Sequence, residues 1–125
     1  GSNYNTTLTS TFFRGQHKQN DSSSSVAYAL SYDQGQGTAY QMLGEYVDGS
    51  QSDGSIGGEF HLYNPSSTTY VKLFNATTQM YNYFPSSDNN FTAGYFNTTT
   101  AINAISFKFT SGTIDAGTIA MYGTG

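Results

Sequence analysis

The 125-residue chain has no cysteine and no tryptophan, only 2 prolines, and only 4 basic against 8 acidic residues. Each shortage excludes something. Without thiols there is no disulfide framework, no zinc–thiolate centre and no cysteine nucleophile. Arg14, Lys18, Lys72 and Lys108 are the only strong cations, and the net charge is −4. Such a surface cannot neutralise a run of phosphates, so neither nucleic acid nor an anionic membrane is expected as a partner. No apolar run approaches the ~18 residues of a membrane span, and no signal-type segment occurs. Nor does any window show a glycine-free apolar stripe at i, i+3, i+4, i+7, which limits helix to single turns.

Aromatic residues are plentiful: Tyr (11) and Phe (9) supply 16 % of the chain. Each buried ring removes about 150–250 Å² from water, so aromatics are expected to build much of the core. The polar residues are mainly Ser, Thr, Asn, Gln and Gly, a mixture that favours strands and turns over helices. The length fits a single domain. Gly1-Ser2 is read as a scar of tag cleavage, residues 3–25 as an N-terminal strand followed by the polar loop "NDSSSS", and residues 26–125 as the body.

Within that body a period of two recurs. In "SVAYALSYD", Val26, Tyr28, Leu30 and Tyr32 alternate with Ala27, Ala29 and Ser31; "TAYQMLGEYV" follows the turn "DQGQG" with apolar residues on both faces. "DGSQSDGSIGG" (48–58) reads as a connection, "EFHLY" as a strand with Phe60 and Leu62 inward, and "NPSS" as a turn preset by Pro65. "TTYVKLFN", "TQMYNYF", "FTAGYFN", "AISFKF" and "GTIAMYG" continue the series, with "PSSDNN" (85–90) as a break. About eight or nine short strands, spaced roughly every 10–14 residues, predict an all-β fold: an antiparallel sandwich of jelly-roll type, its edges guarded by Lys72 and Lys108.

Candidates for chemistry are few. His17 and His61 lack metal-ligand spacing and read as solvent-facing. Glu45 and Glu59 would serve a glycosidase only if their strands brought them within ~5–9 Å. Asp48 and Asp53, with Ser50 and Ser52, loosely resemble an oxygen-rich calcium loop but lack its spacing and bidentate Glu, so turn chemistry is the expected role. Five Asn-x-Ser/Thr sequons begin at Asn5, Asn20, Asn75, Asn90 and Asn97, as chance allows in so polar a sequence. No catalytic residues, cofactor or metal are therefore expected. The best binding candidate is "MYNYFPSSDNNF". Tyr81 and Tyr83 are expected on one outward face, with Met80 and Phe84 packed on the other. Beside them Asp88, Asn89 and Asn90 would take sugar hydroxyls while the rings stack on pyranose C–H groups.

The ending "AINAISFKFTSGTIDAGTIAMYGTG" resembles a closing motif, "I..I.F....G.I..GTI.LYG", that recurs in structural proteins of tailed bacteriophages. It is matched here by Ile102, Ile105, Phe107, Gly112, Ile114, Gly117-Thr118-Ile119 and Met121-Tyr122-Gly123, with Met121 where leucine is commoner. "YALSYDQGQGTAY" and "GEFHLYNPSSTTYVKLF" fit the same layout, so the resemblance runs from Val26 to Gly123 and is specific over the last ~25 residues. It implies a non-enzymatic domain of a tail, fibre or head-surface protein. Such a domain would be displayed on the extracellular particle with other virion proteins, and host-surface glycan is its candidate ligand. Phage fibres are commonly trimers, which makes a homotrimer one expected assembly. A carbohydrate-binding module or lectin of a secreted protein is the alternative. Physically, the motif reads as a closing hairpin: Gly112 and Gly117 permit a tight return, and Ile105, Phe107, Ile119 and Met121 reach one core.

Overall fold

The computed structural model of the chain describes residues 4–50 and 53–123. Gly1-Ser2 and Ser52, which enter the scar and calcium-loop readings above, lie outside them. The five strands are β1 (Leu8–Lys18), β2 (Ser24–Tyr28), β3 (Ile56–Leu62), β4 (Lys72–Asn82) and β5 (Ser86–Phe96). They form one antiparallel sheet in the order β2-β1-β5-β4-β3. The fold is thus all-β, as expected, but among the described residues one five-stranded sheet stands where eight or nine strands in two sheets were anticipated.

Register decides which side chains meet. Leu8 pairs with Phe96, Phe12 with Thr92 and Arg14 with Asn90 across β1 and β5; Phe74 pairs with Gly94 and Thr78 with Asn90 across β4 and β5. Even-numbered residues of β1, β4 and β5 therefore share one face. On it Leu8, Phe12, Phe74, Ala76 and Met80 are buried. Phe74 lies 5.0 Å from Phe96 and 5.6 Å from Phe60, ring centre to ring centre, and Phe107 meets Phe60 edge-on at 5.8 Å. Phe60 and Leu62 do point inward from β3, as the sequence predicts.

What covers this face is irregular chain. β2 and β3 lie at opposite edges, so the connection between them must cross the whole sheet. After β2 it makes a 3-10 turn at Leu30–Tyr32. It then exchanges backbone hydrogen bonds with β1 (Leu8 N to Gly37 O at 2.8 Å, Ser10 N to Gln34 O at 2.9 Å), and the Thr78 hydroxyl donates to Leu43 O at 2.5 Å. Glu45, buried, pairs with Arg14. Gly44 passes so close to the sheet that a Cβ there would sit 2.3 Å from Met80 Cε.

This crossing takes up one of the expected strands. "TAYQMLGEYV" has strand-like alternation, but its polar side chains satisfy the backbone locally. Gln41 Nε2 donates to the carbonyls of Tyr32 and Met42, both at 3.0 Å, and Gln34 Nε2 to that of Ala39 at 3.0 Å. Lys72 does not guard an edge. It stands on β4 beside β5, fully buried, with Nζ donating to Tyr70 O at 2.7 Å and Thr98 O at 3.2 Å. The closing hairpin is also absent: residues 97–123 carry no strand. Gly112 and Gly117 do adopt the expected positive φ, 73° and 138°. The flanks they join stay unpaired, and Ile119, Met121 and Tyr122 are exposed.

A hairpin tip as candidate functional site

β4 and β5 are joined by a tight turn at Tyr83, Phe84 and Pro85, and the sequence dictates its form. Asn82 Oδ1 accepts the Phe84 amide two residues on, at 2.7 Å, an Asx-turn closed just before proline. Because β1 neighbours β5, the β1–β2 turn lies alongside. Gln19 N donates to Pro85 O at 2.9 Å, Lys18 Nζ donates to Phe84 O at 3.1 Å, and Lys18 Nζ stands 5.3 Å from the Phe84 ring centre. The crossing segment reaches the same end, where Tyr83 N donates to Tyr46 O at 2.9 Å.

Three aromatic rings gather there. Phe84 meets Tyr46 at 5.3 Å and Tyr83 at 5.4 Å, both edge-to-face, and the three rings are 46–56 % exposed. Tyr46 holds its position with φ at 56°, a left-handed conformation uncommon for a bulky side chain and one that costs of order 1–3 kcal/mol. Beside the rings runs a shallow groove of about 340 Å³ lined by Lys18, Gln19, Asn20, Ser22, Phe84 and Pro85. Tyr46 also influences the interior: burial first, then the neighbouring Tyr46 phenol, push the Tyr32 hydroxyl above the ordinary tyrosine pKa.

The five residues proposed from sequence do not converge. Residues 85–90, expected as a loop, are instead Pro85 of the turn and the first half of β5, and strand alternation sends their side chains to opposite faces. Asn89 is exposed on the open face, which it shares with Tyr81. Tyr81 is half-buried there and reaches Gln19 Oε1 at 3.5 Å. Asp88 and Asn90 are buried beneath the crossing segment. Asp88 accepts from Asn82 Nδ2 at 2.7 Å and Ser86 Oγ at 3.0 Å, while Asn90 Nδ2 donates to Thr78 Oγ1 at 3.2 Å. Asp88 thereby holds Asn82, which shapes the turn. Only Tyr83 of the five presents its ring at the tip. Phe84, expected inside, and Tyr46, expected on a strand, join it; of the two, only the Phe84-Pro85 pair gave a sequence signal, since proline ends a strand.

The remaining candidates separate. Glu45 points from the crossing segment into its pair with Arg14 of β1, while Glu59 stands on the open face with its Oε2 3.2 Å from His61 Nε2. His17 pairs with Asp21 at 2.8 Å on the surface. Asp48 Oδ1 accepts the Ser50 amide and hydroxyl, both at 2.8 Å, as a turn would have it. Among the described residues no group of three or more His, Asp or Glu could hold a metal ion. Compared with known proteins, the chain matches no family model, no curated sequence and no solved structure.

Proposed function

We propose that the chain is a non-enzymatic surface domain of a bacteriophage particle, a fibre, tail or head-decoration module, that contacts host-surface glycans through the β4–β5 hairpin tip. The observation that carries the glycan contact is the exposed cluster of Tyr46, Tyr83 and Phe84 beside a groove of amide and hydroxyl side chains. Flat rings take the C–H faces of a sugar, and Gln19, Asn20 and Ser22 offer short donors and acceptors for its hydroxyls. The virion setting rests on the resemblance of the C-terminal motif. In this reading the single sheet is one layer of the jelly-roll-like sandwich that strand spacing predicts. A lectin module of a secreted protein would use the same tip, and the groove serves both readings.

A glycan array probed with the wild-type chain and with a Tyr83→Ala/Phe84→Ala double variant tests the contact. Binding by the wild type that falls at least tenfold in the variant is the expected result. No wild-type binding, or binding indifferent to the substitution, removes the tip from consideration. Antibodies to the domain that label intact particles of the source phage would separate the virion reading from the lectin one.

A further inference from the structure

The sheet face opposite the crossing segment is open among the described residues except at one end, where Gln36 Nε2 donates to Thr9 Oγ1 at 2.9 Å and to the Tyr95 hydroxyl at 3.3 Å, yet its side chains suit an interior. One cross-strand row carries Tyr28, Phe13, Phe91, Thr77 and Glu59; another carries Thr9, Tyr95 and Leu73, with Tyr63 bonded beside it. Phe13 and Phe91 stack at 4.8 Å with 15° between ring planes. Val26 is 83 % exposed, Tyr28 58 %, Leu73 55 % and Phe13 42 %. Across the outward positions of the three long strands, β1, β4 and β5, no Lys, Arg, Asp or Glu occurs; His17 is the one titratable imidazole, at the end of β1. The one carboxylate in these rows, Glu59, sits on the edge strand β3 beside His61, where charge ordinarily guards a sheet, and the three long strands have none.

We infer that this open face packs against the same face of a second copy of the chain, so that two five-stranded sheets form one sandwich across a two-fold axis. The inference rests on the reading of the sheet as one layer of a sandwich, and is independent of glycan contact at the tip. Three observations favour a second copy. Size is the first: strands of 11, 11, 11, 7 and 5 residues at about 3.4 Å per residue and 4.8 Å between strands give a footprint of roughly 700 Å² per copy. The total of roughly 1,400 Å² lies inside the range of stable interfaces. Charge is the second, since a face without ionised groups over its central strands meets its own image without like-charge repulsion. Shape is the third. The exposed Phe13–Phe91 stack is a ridge, and next to it lies a wide, open hollow of about 510 Å³ lined by Gly15, His17, Ser24, Ser25, Val26 and Ser87 among others. A two-fold axis sets the ridge of each copy towards the hollow of the other, the self-complementarity that an isologous contact needs.

Gly15 supplies the test, because a Cβ there meets no atom of its own chain within 4 Å. The substitution is therefore accommodated by the monomer and obstructs only a partner. Sedimentation velocity of the full chain across a wide concentration range is expected to show twice the chain mass. Gly15→Arg and, separately, Val26→Asp are expected to weaken association by about two orders of magnitude or more, since each buries an unpaired charge. Circular dichroism of both variants should match the wild type. A wild-type chain that stays at single-chain mass overturns the inference and leaves the open face for another partner. A three-chain mass overturns it as well, because two faces close at two copies. So does a dimer that persists in both folded variants. None of these outcomes touches the glycan-array result.

Discussion

A buried carboxylate braces the tip from behind. Asp88 accepts from two neutral donors, Asn82 Nδ2 and Ser86 Oγ, and Asn82 in turn fixes the Phe84 amide. Its place in the chemistry is positional: it holds the turn that presents Tyr83 and Phe84. Asp88→Ala would leave the Asn82 amide buried without an acceptor, at a cost of about 1–3 kcal/mol in urea melts. The same variant should raise solvent access at the tip, read as faster hydrogen exchange of the Phe84 amide. Unchanged exchange with lost stability would mean that the carboxylate serves the core alone. From sequence, Asp88 could be recognised as a polar residue near exposed tyrosines. That it points away from them could not, because the break expected at residues 85–90 concealed the strand phase.

At the level of elements, alternation located surfaces better than it located strands. The inward phase of Phe60 and Leu62 was legible, and so was the turn at Pro65, where Ser67 N donates to Asn64 O at 3.0 Å. Val26 and Tyr28 do share a face, as their spacing requires, but it is the uncovered one. Alternation fixes which residues stand together, whereas what lies over them depends on a crossing of the sheet that no local pattern encodes. The tip was legible only through Tyr83, since Tyr46 arrives from a distant segment with a backbone conformation its residue type does not announce. Two phenylalanines show the energetic consequence. Phe12 is fully buried and meets Tyr32 edge-on at 5.3 Å, so Phe12→Ala should cost about 3–5 kcal/mol. Phe107, which the terminal motif marks as core, is 37 % exposed and touches Phe60 at its edge, so Phe107→Ala should cost only about 1–2 kcal/mol. Equal losses in denaturant melts would restore the motif to the core.

For the whole molecule, stability resides in the sheet and its crossing segment, and the last stretch of chain adds little to either. Contacts of the C-terminal segment with the body stop early: Ile102 N donates to Pro65 O at 2.8 Å, the Tyr40 and Ser106 hydroxyls lie 2.9 Å apart, and Lys108 Nζ stands 4.2 Å over the Tyr40 ring. Residues 110–123 are exposed throughout, and their side-chain bond from Thr113 to Asp115, at 2.8 Å, is internal. Little apolar area leaves water there, so little hydrophobic free energy is at stake. A chain ended after Thr110 retains Phe107 and Lys108 and should keep its circular dichroism spectrum. Its loss of stability should stay below about 1 kcal/mol, which for a domain of this size is a shift in Tm of roughly 4 °C or less. A broad, non-cooperative melt after truncation would instead show that Ile114, Ile119 and Met121 are needed to hold the domain, as a closing hairpin requires. A small shift places the work of that motif outside the fold of the single chain, on whatever it meets.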